Sequence, residues 1–154
     1  MDALTIGKIL SQACHDVNSG QRVTITAYGV SMLPLIGNMT DRVVLGPVSA
    51  DELCVDDVVV FHYHGRLLLH RIVAINGDNL TIQGDGVLRW QERVVKADVV
   101  ARAEKVVRSN GKVFVCGEPS WKQLSARWKA TPFLVKYVVL HTLHLYQKIK
   151  KKLC

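Results

Sequence analysis

A series of short apolar runs between Arg22 and Val115 constrains the fold of this chain more than any other feature. The runs are rich in Val, Ile and Leu, and turn signals such as "HGR", "NGDN" and "SNGK" separate them. Two runs around Gly65 predict a β-hairpin. The whole series predicts a mainly β fold, a coiled antiparallel β-sheet or barrel. The seven runs are "RVTITAY", "RVVLGPV", "DVVVFHYH", "RLLLHRIVAI", "NLTIQG", "VVARAEKVV" and "KVFVCG".

Helical patterns flank this β region on both sides. Near the amino terminus the apolar residues follow helical spacing, and Gly20 is a natural stop. After Pro119 the pattern becomes helical again. A β-domain with a short N-terminal helix is therefore expected over residues 1–118, and a basic amphipathic helical extension over 119–154. The residues at helical spacing are Ile6, Ile9, Leu10, Ala13 and Val17 in the first helix, and Trp121, Leu124 and Trp128 after Pro119.

Charge is distributed unevenly along the 154 residues. Up to Val95 there are 7 Lys/Arg and 10 Asp/Glu, whereas from Lys96 onward there are 13 and 3. A basic C-terminal third indicates an anionic partner for that third. The first half lacks a basic stripe interleaved with stacking aromatics, so nucleic acid is not expected to be the partner.

The cysteines and the amino terminus suggest a compartment. Cys14, Cys54, Cys116 and Cys154 form no CxxC motif, so a zinc site is not expected. They are typical of free thiols in a reducing compartment, with two disulfides as the alternative. The start "MDALTIGKIL" does not resemble a signal peptide. The expected location is the cytoplasm, with peripheral attachment at the inner face of the membrane as a further expectation.

Four short motifs carry the chemistry. They are "GVSMLP" (29–34), "DDVVVF" (56–61), "LLHRIV" (68–73) and "IQGDG" (82–86). In this order they resemble the S24/S26 serine peptidase superfamily, and within it the signal peptidases of the archaeal and endoplasmic-reticulum type. The resemblance covers roughly Val23 to Val106. It implies the coiled β-sheet of that family and a serine endopeptidase activity.

The resemblance also implies roles for individual residues. Ser31 matches the nucleophile, His70 the general base, and Asp85 the aspartate of the family's GD box, which is Gly84-Asp85 here. A serine hydroxyl needs a neighbouring base to take its proton, and a carboxylate can orient the imidazole that does so. Glu92 is the alternative third member. Asp85 is expected to affect activity more than Glu92.

The distribution of lysine favours histidine as the base. The other large branch of this superfamily uses a Ser–Lys pair, but no lysine occurs between Lys8 and Lys96. The motifs therefore fit a Ser–His mechanism. Arg71, next to the histidine, is expected on the opposite strand face and paired with a carboxylate.

The resulting functional hypothesis is a serine endopeptidase that cleaves an extended peptide or protein substrate, with no cofactor or metal. The alternative is an inactive module on the same fold that binds a peptide or a membrane surface. Two histidine pairs have spacing that could chelate a metal, but no further ligand type lies nearby in the sequence. They are expected to be solvated. These pairs are His62 with His64, and His141 with His144.

The last segment, "TPFLVKYVVLHTLHLYQKIKKKLC", predicts a helix with Thr131 as N-cap and Pro132 at its first position. Its apolar face is broken by Lys136 and two histidines, which argues against a membrane-spanning helix. Two interpretations remain. The helix packs on the β-core, or it lies on an anionic membrane surface, which is the favoured one. The lysines that would contact the headgroups are Lys148, Lys150, Lys151 and Lys152.

Overall fold

The computed structural model describes residues 3–153. Within this range the chain forms three α-helices, eight β-strands and two short 3-10 turns. The helices are α1 (Ala3–Asn18), α2 (Pro119–Ala130) and α3 (Phe133–Leu153). The strands are β1 (Val23–Thr26), β2 (Arg42–Gly46), β3 (Val58–Tyr63), β4 (Arg66–Asn76), β5 (Asn79–Gln83), β6 (Glu92–Val95), β7 (Val99–Val107) and β8 (Val113–Val115).

All strand pairs of the sheet are antiparallel. The order is β1-β2-β7-β3-β4-β5-β6, with β8 paired to β7. In the described residues β1 and β6 end the sheet, and no pairing closes it into a barrel. Helices occupy about as much of the chain as strands do. The structure is therefore an open antiparallel sheet with three helices, which agrees with the predicted antiparallel sheet, and the described residues show no barrel.

Most of the predicted elements are confirmed. The β3–β4 hairpin turns at Gly65, with Tyr63 opposite Arg66. Helix α1 ends near Gly20, whose φ of +84° suits glycine. The strand that the sequence patterns did not reveal is β6, where Glu92 pairs with Ile82 of β5.

Two apolar clusters form the core, and the side chains of β4 alternate between them. The first cluster contacts α1 and α2 and includes Val17, Val60 and Trp121. The second includes Phe61 and Ile82. Because successive residues of a strand point to opposite faces, neighbouring residues on β4 enter different environments.

The helices of the structure agree with the expectation that the C-terminal segment does not span a membrane. Among the residues that the structure describes, none of the helices combines the length and the apolar character needed to cross a bilayer.

Candidate active site

Strand β4 places His70 and Arg71 on opposite faces of the sheet. Leu69 packs against the first cluster, where Arg71 lies 5.4 Å from the ring centroid of Trp121. Ile72 belongs to the second cluster, and His70 lies on that face. Both polar side chains are buried, so each needs a partner to compensate for the loss of water.

His70 pairs with Glu92. The distance from His70 Nδ1 to Glu92 Oε2 is 3.2 Å, and the two side chains are only 7% and 6% exposed. An ionised carboxylate oxygen only accepts, so in this pair Nδ1 is the donor, and in the neutral imidazole Nε2 is then an acceptor. The pair can thus hold an imidazole in the tautomer that a general base requires.

Asp85, the carboxylate expected to orient His70, instead pairs with Arg71. It accepts hydrogen bonds of 2.8 Å from both Nε and Nη2 of the guanidinium. A third hydrogen bond runs from Arg71 Nη1 to the carbonyl oxygen of Asp56, at 2.9 Å. Burial lowers the pKa of Arg71, but the hydrogen bonds and charge of Asp85 outweigh it and raise that pKa above its usual value. Arg71 therefore pairs with a carboxylate, as its strand position predicted.

Helix α2 reinforces the loop that carries Asp85. The indole nitrogen of Trp128 donates a 2.8 Å hydrogen bond to the carbonyl oxygen of Asp85. Trp121, from the same helix, is 2% exposed and lies beside Arg71. Thus α2 fixes both members of the Arg71–Asp85 pair.

Ser31 lies in the loop between β1 and β2. The loop turns at Gly29, whose φ of +95° favours glycine, and the Gly29 N–H donates to the side-chain oxygen of Asn38 at 2.9 Å. Met32 is 5% exposed and anchors the loop in the first core cluster. Ser31 itself is half-buried at the rim of a cavity.

Two glycines allow the serine loop to approach His70 closely. The N–H of Gly86 donates a 2.8 Å hydrogen bond to the carbonyl oxygen of Ser31. A Cβ on Gly84 would lie 2.4 Å from the same oxygen and 3.1 Å from His70 Nε2. No side chain fits there without moving the loop. The GD box therefore brings the Ser31 loop close to the free nitrogen of His70.

Ser31 and His70 line one cavity of about 170 Å³. Its other walls are mainly apolar and come from α1, β1, β4 and the serine loop, with Ile9, Ile25 and Leu69 among them. This volume is below the range of roughly 300–1,000 Å³ for drug-sized ligands, and suits a single apolar side chain. The cavity is a candidate subsite for one residue of a peptide.

The remaining nucleophile and ligand candidates lie elsewhere. Burial raises the pKa of Cys14 to about 11 and that of Cys116 to about 12, so both stay protonated thiols at neutral pH. Cys54 is exposed and free, and Cys154 lies outside the described residues. Residues 3–153 contain no group of three or more His, Cys, Asp or Glu side chains that could hold a metal ion.

Comparison with known proteins gives no family. No protein-family model matches the chain, and no curated protein matches it significantly.

Sequence reasoning named Ser31, His70 and Glu92, all of which the structure brings to one region. Asp85 ranked above Glu92 because it matches the aspartate of the GD box, and strand β6, which carries Glu92, was not recognised. The alternation in "ERVV", which sets Glu92 and Val94 on one face, was the available signal. The contact role of Gly84 was also missed, although two glycines flanking an aspartate suggest a close backbone approach.

Proposed function

We propose that the protein is a serine endopeptidase in which Ser31 is the nucleophile, His70 the general base and Glu92 the group that orients the base. The observation that carries this proposal is the position of the His70 ring. Its Nδ1 faces a buried carboxylate at 3.2 Å, and its Nε2 faces the Ser31 loop across Gly84. A carboxylate on one ring nitrogen, with the other nitrogen turned toward the loop that carries a serine, supports a Ser–His mechanism in which the imidazole activates the hydroxyl.

The proposed reaction follows from these positions. Ser31 Oγ attacks the carbonyl carbon of the scissile bond while His70 Nε2 takes the hydroxyl proton, and Glu92 stabilises the imidazolium. As the tetrahedral intermediate collapses, the carbon–nitrogen bond breaks and His70 returns the proton to the leaving amine. Water then attacks the acyl-enzyme with His70 again as base, which releases the acid and restores Ser31.

The substrate in this proposal is an extended peptide. Strand β1 ends the sheet, and Ile25 and Thr26 of this strand line the cavity beside Ser31. A peptide added alongside β1 would gain main-chain hydrogen bonds and place one apolar side chain in the cavity. The order of the four motifs, which resembles that of S24/S26 peptidases, supports the same proposal. The coiled sheet of that family is part of the proposal.

Cleavage of a peptide library tests the proposal. Purified protein is incubated with mixed peptides, and new amino termini are identified by labelling and mass spectrometry. We expect a set of cleavages with a shared apolar residue near the cut, absent in Ser31→Ala and present in the control Ser109→Ala, which alters an exposed turn serine. Cleavage that persists in Ser31→Ala would overturn the nucleophile. Peptide binding by the native chain without any cleavage would favour the inactive binding module.

A further inference from the structure

Helix α3 touches the rest of the protein along a narrow stripe. Leu140 is 3% exposed, and the flanking Lys136 and Gln147 are half-buried. Lys136 donates a 3.0 Å hydrogen bond to the carbonyl oxygen of Lys129, and Gln147 accepts one of 3.2 Å from Asn38. These contacts define the inner side of the helix.

The opposite side of α3 is apolar and exposed. Four side chains of this side are Leu134, Val138, Leu145 and Ile149, with exposed fractions of 71%, 56%, 53% and 49%. With 3.6 residues per turn they fall within an arc of roughly 60°, which lies about 120–180° around the helix axis from Leu140. These four residues are called the outer face of α3. Large apolar side chains aligned in this way are uncommon on a surface that contacts only water.

Basic residues accompany the outer face. Lys148, Lys150, Lys151 and Lys152 are all exposed at the end of the helix, and residues 133–153 include no Asp or Glu. The helix thus combines an apolar face with a uniformly basic terminus. A second copy of this chain could cover the apolar face but would offer the lysines no negative charge from its own α3. An anionic lipid surface supplies both an apolar layer and negative charge.

We propose that α3 lies flat on the surface of an anionic lipid bilayer, with its outer face in the boundary between headgroups and acyl chains. The lysines at its end contact the headgroups, in the manner of basic amphipathic helices at interfaces. This inference does not rest on the peptidase proposal, since the docking surface is separate from Ser31 and His70.

The docked orientation keeps the candidate active-site loops near the bilayer. Asn38, in the Ser31 loop, contacts Gln147, and the guanidinium of Arg89 lies 5.3 Å from the ring centroid of Phe133 at the start of α3. Both loops therefore rest against the same helix that contacts the lipid.

Vesicle sedimentation of the full chain tests the proposal. The probes are vesicles of phosphatidylcholine alone, and of phosphatidylcholine with about one-third phosphatidylglycerol. We expect binding to the anionic vesicles at low salt and release at about 1 M salt, where the screening length falls to roughly 3 Å. Equal binding to both kinds of vesicle would overturn the proposal.

Charge variants measure the contribution of the lysines. Each basic residue near an anionic surface contributes roughly fivefold in affinity, so replacing Lys150, Lys151 and Lys152 with Gln should weaken binding on the order of a hundredfold. The control replaces three exposed lysines elsewhere with Gln and has the same net charge. If the control variant weakens binding equally, α3 is not the surface that binds the membrane. The control lysines are Lys8, Lys105 and Lys122.

Apolar variants measure the contribution of the outer face. Val138→Glu with Leu145→Glu should abolish sedimentation, because charged side chains would enter the apolar layer. The control is Val55→Glu with Val113→Glu, two valines that are 48% and 50% exposed elsewhere. Circular dichroism checks that the apolar variant is folded. If it is unfolded, the result with the lysine variants decides the proposal. A stable dimer that dissociates in the Val138/Leu145 variant, without vesicle binding by the native chain, would identify a second copy as the occupant.

Discussion

The pairs His70–Glu92 and Arg71–Asp85 arise from adjacent residues of β4 yet have opposite chemical characters. In the first, a buried carboxylate oxygen lies 3.2 Å from Nδ1 of an imidazole, a ring whose other nitrogen has no side-chain partner among the described residues. In the second, a buried carboxylate holds a guanidinium that stays charged, with its pKa raised further. One face of the strand therefore carries the proposed general base, and the other a buried ion pair. The comparison teaches that the role of a carboxylate near a candidate catalytic motif depends on the side chain it pairs with and not on its distance along the chain.

The largest expected effect is on activity, from breaking the first pair. Glu92→Gln replaces the carboxylate with an amide that no longer stabilises the imidazolium, so peptide cleavage should fall on the order of 10³-fold. The measurement is kcat/KM on a peptide found by the library. Glu104→Gln, a carboxylate paired with Arg22 away from the site, is the control. Activity within about twofold of the native protein in Glu92→Gln would remove Glu92 from the mechanism.

Breaking the second pair should act on stability. Asp85→Ala leaves a guanidinium of 1% exposure without its carboxylate, which costs about 3–5 kcal/mol in the free energy of unfolding. Denaturant unfolding measures the loss. The double variant Asp85→Ala with Arg71→Met should recover part of it, since no buried charge remains. A double variant less stable than Asp85→Ala would show that the charge is not the cause.

The contact between the GD box and the serine loop predicts a smaller effect. Gly84→Ala places a Cβ 2.4 Å from the Ser31 carbonyl oxygen, so the loop must move, at a cost of about 1–3 kcal/mol in stability and at least tenfold in kcat/KM. Gly7→Ala, where a Cβ meets open space on a helix, is the control and should be slightly stabilising. An active, fully stable Gly84→Ala would contradict the close approach.

The smallest effect concerns the hydrogen bond between Trp128 and the Asp85 backbone. Trp128→Phe removes the indole hydrogen bond to the Asp85 carbonyl oxygen and should cost about 1 kcal/mol in unfolding free energy, with kcat/KM nearly unchanged. Thermal and denaturant unfolding, with the same peptide assay, check both parts. A loss of activity much greater than the loss of stability would mean that the hydrogen bond from Trp128 to Asp85 also orients the reacting groups.

The sequence predicted local patterns well and long-range partners less well. The hairpin at Gly65, helix α1 and the face change between His70 and Arg71 follow from periodicity, which is a local property. Closure of the sheet does not, since it depends on whether β1 and β6 meet. The partner of His70 likewise depends on the pairing of β6, whose alternation spans only four residues and does not show which strand it joins.

The most direct test of the central claim, that His70 activates Ser31, is the reaction of the protein with a fluorophosphonate probe. Mass spectrometry locates the adduct, and its rate of formation is compared between the native protein and His70→Ala. The predicted result is a single adduct on Ser31, absent in Ser31→Ala and formed at least about a hundredfold more slowly in His70→Ala. A folded native protein that forms no adduct, or equal rates in the native protein and His70→Ala, would contradict the account.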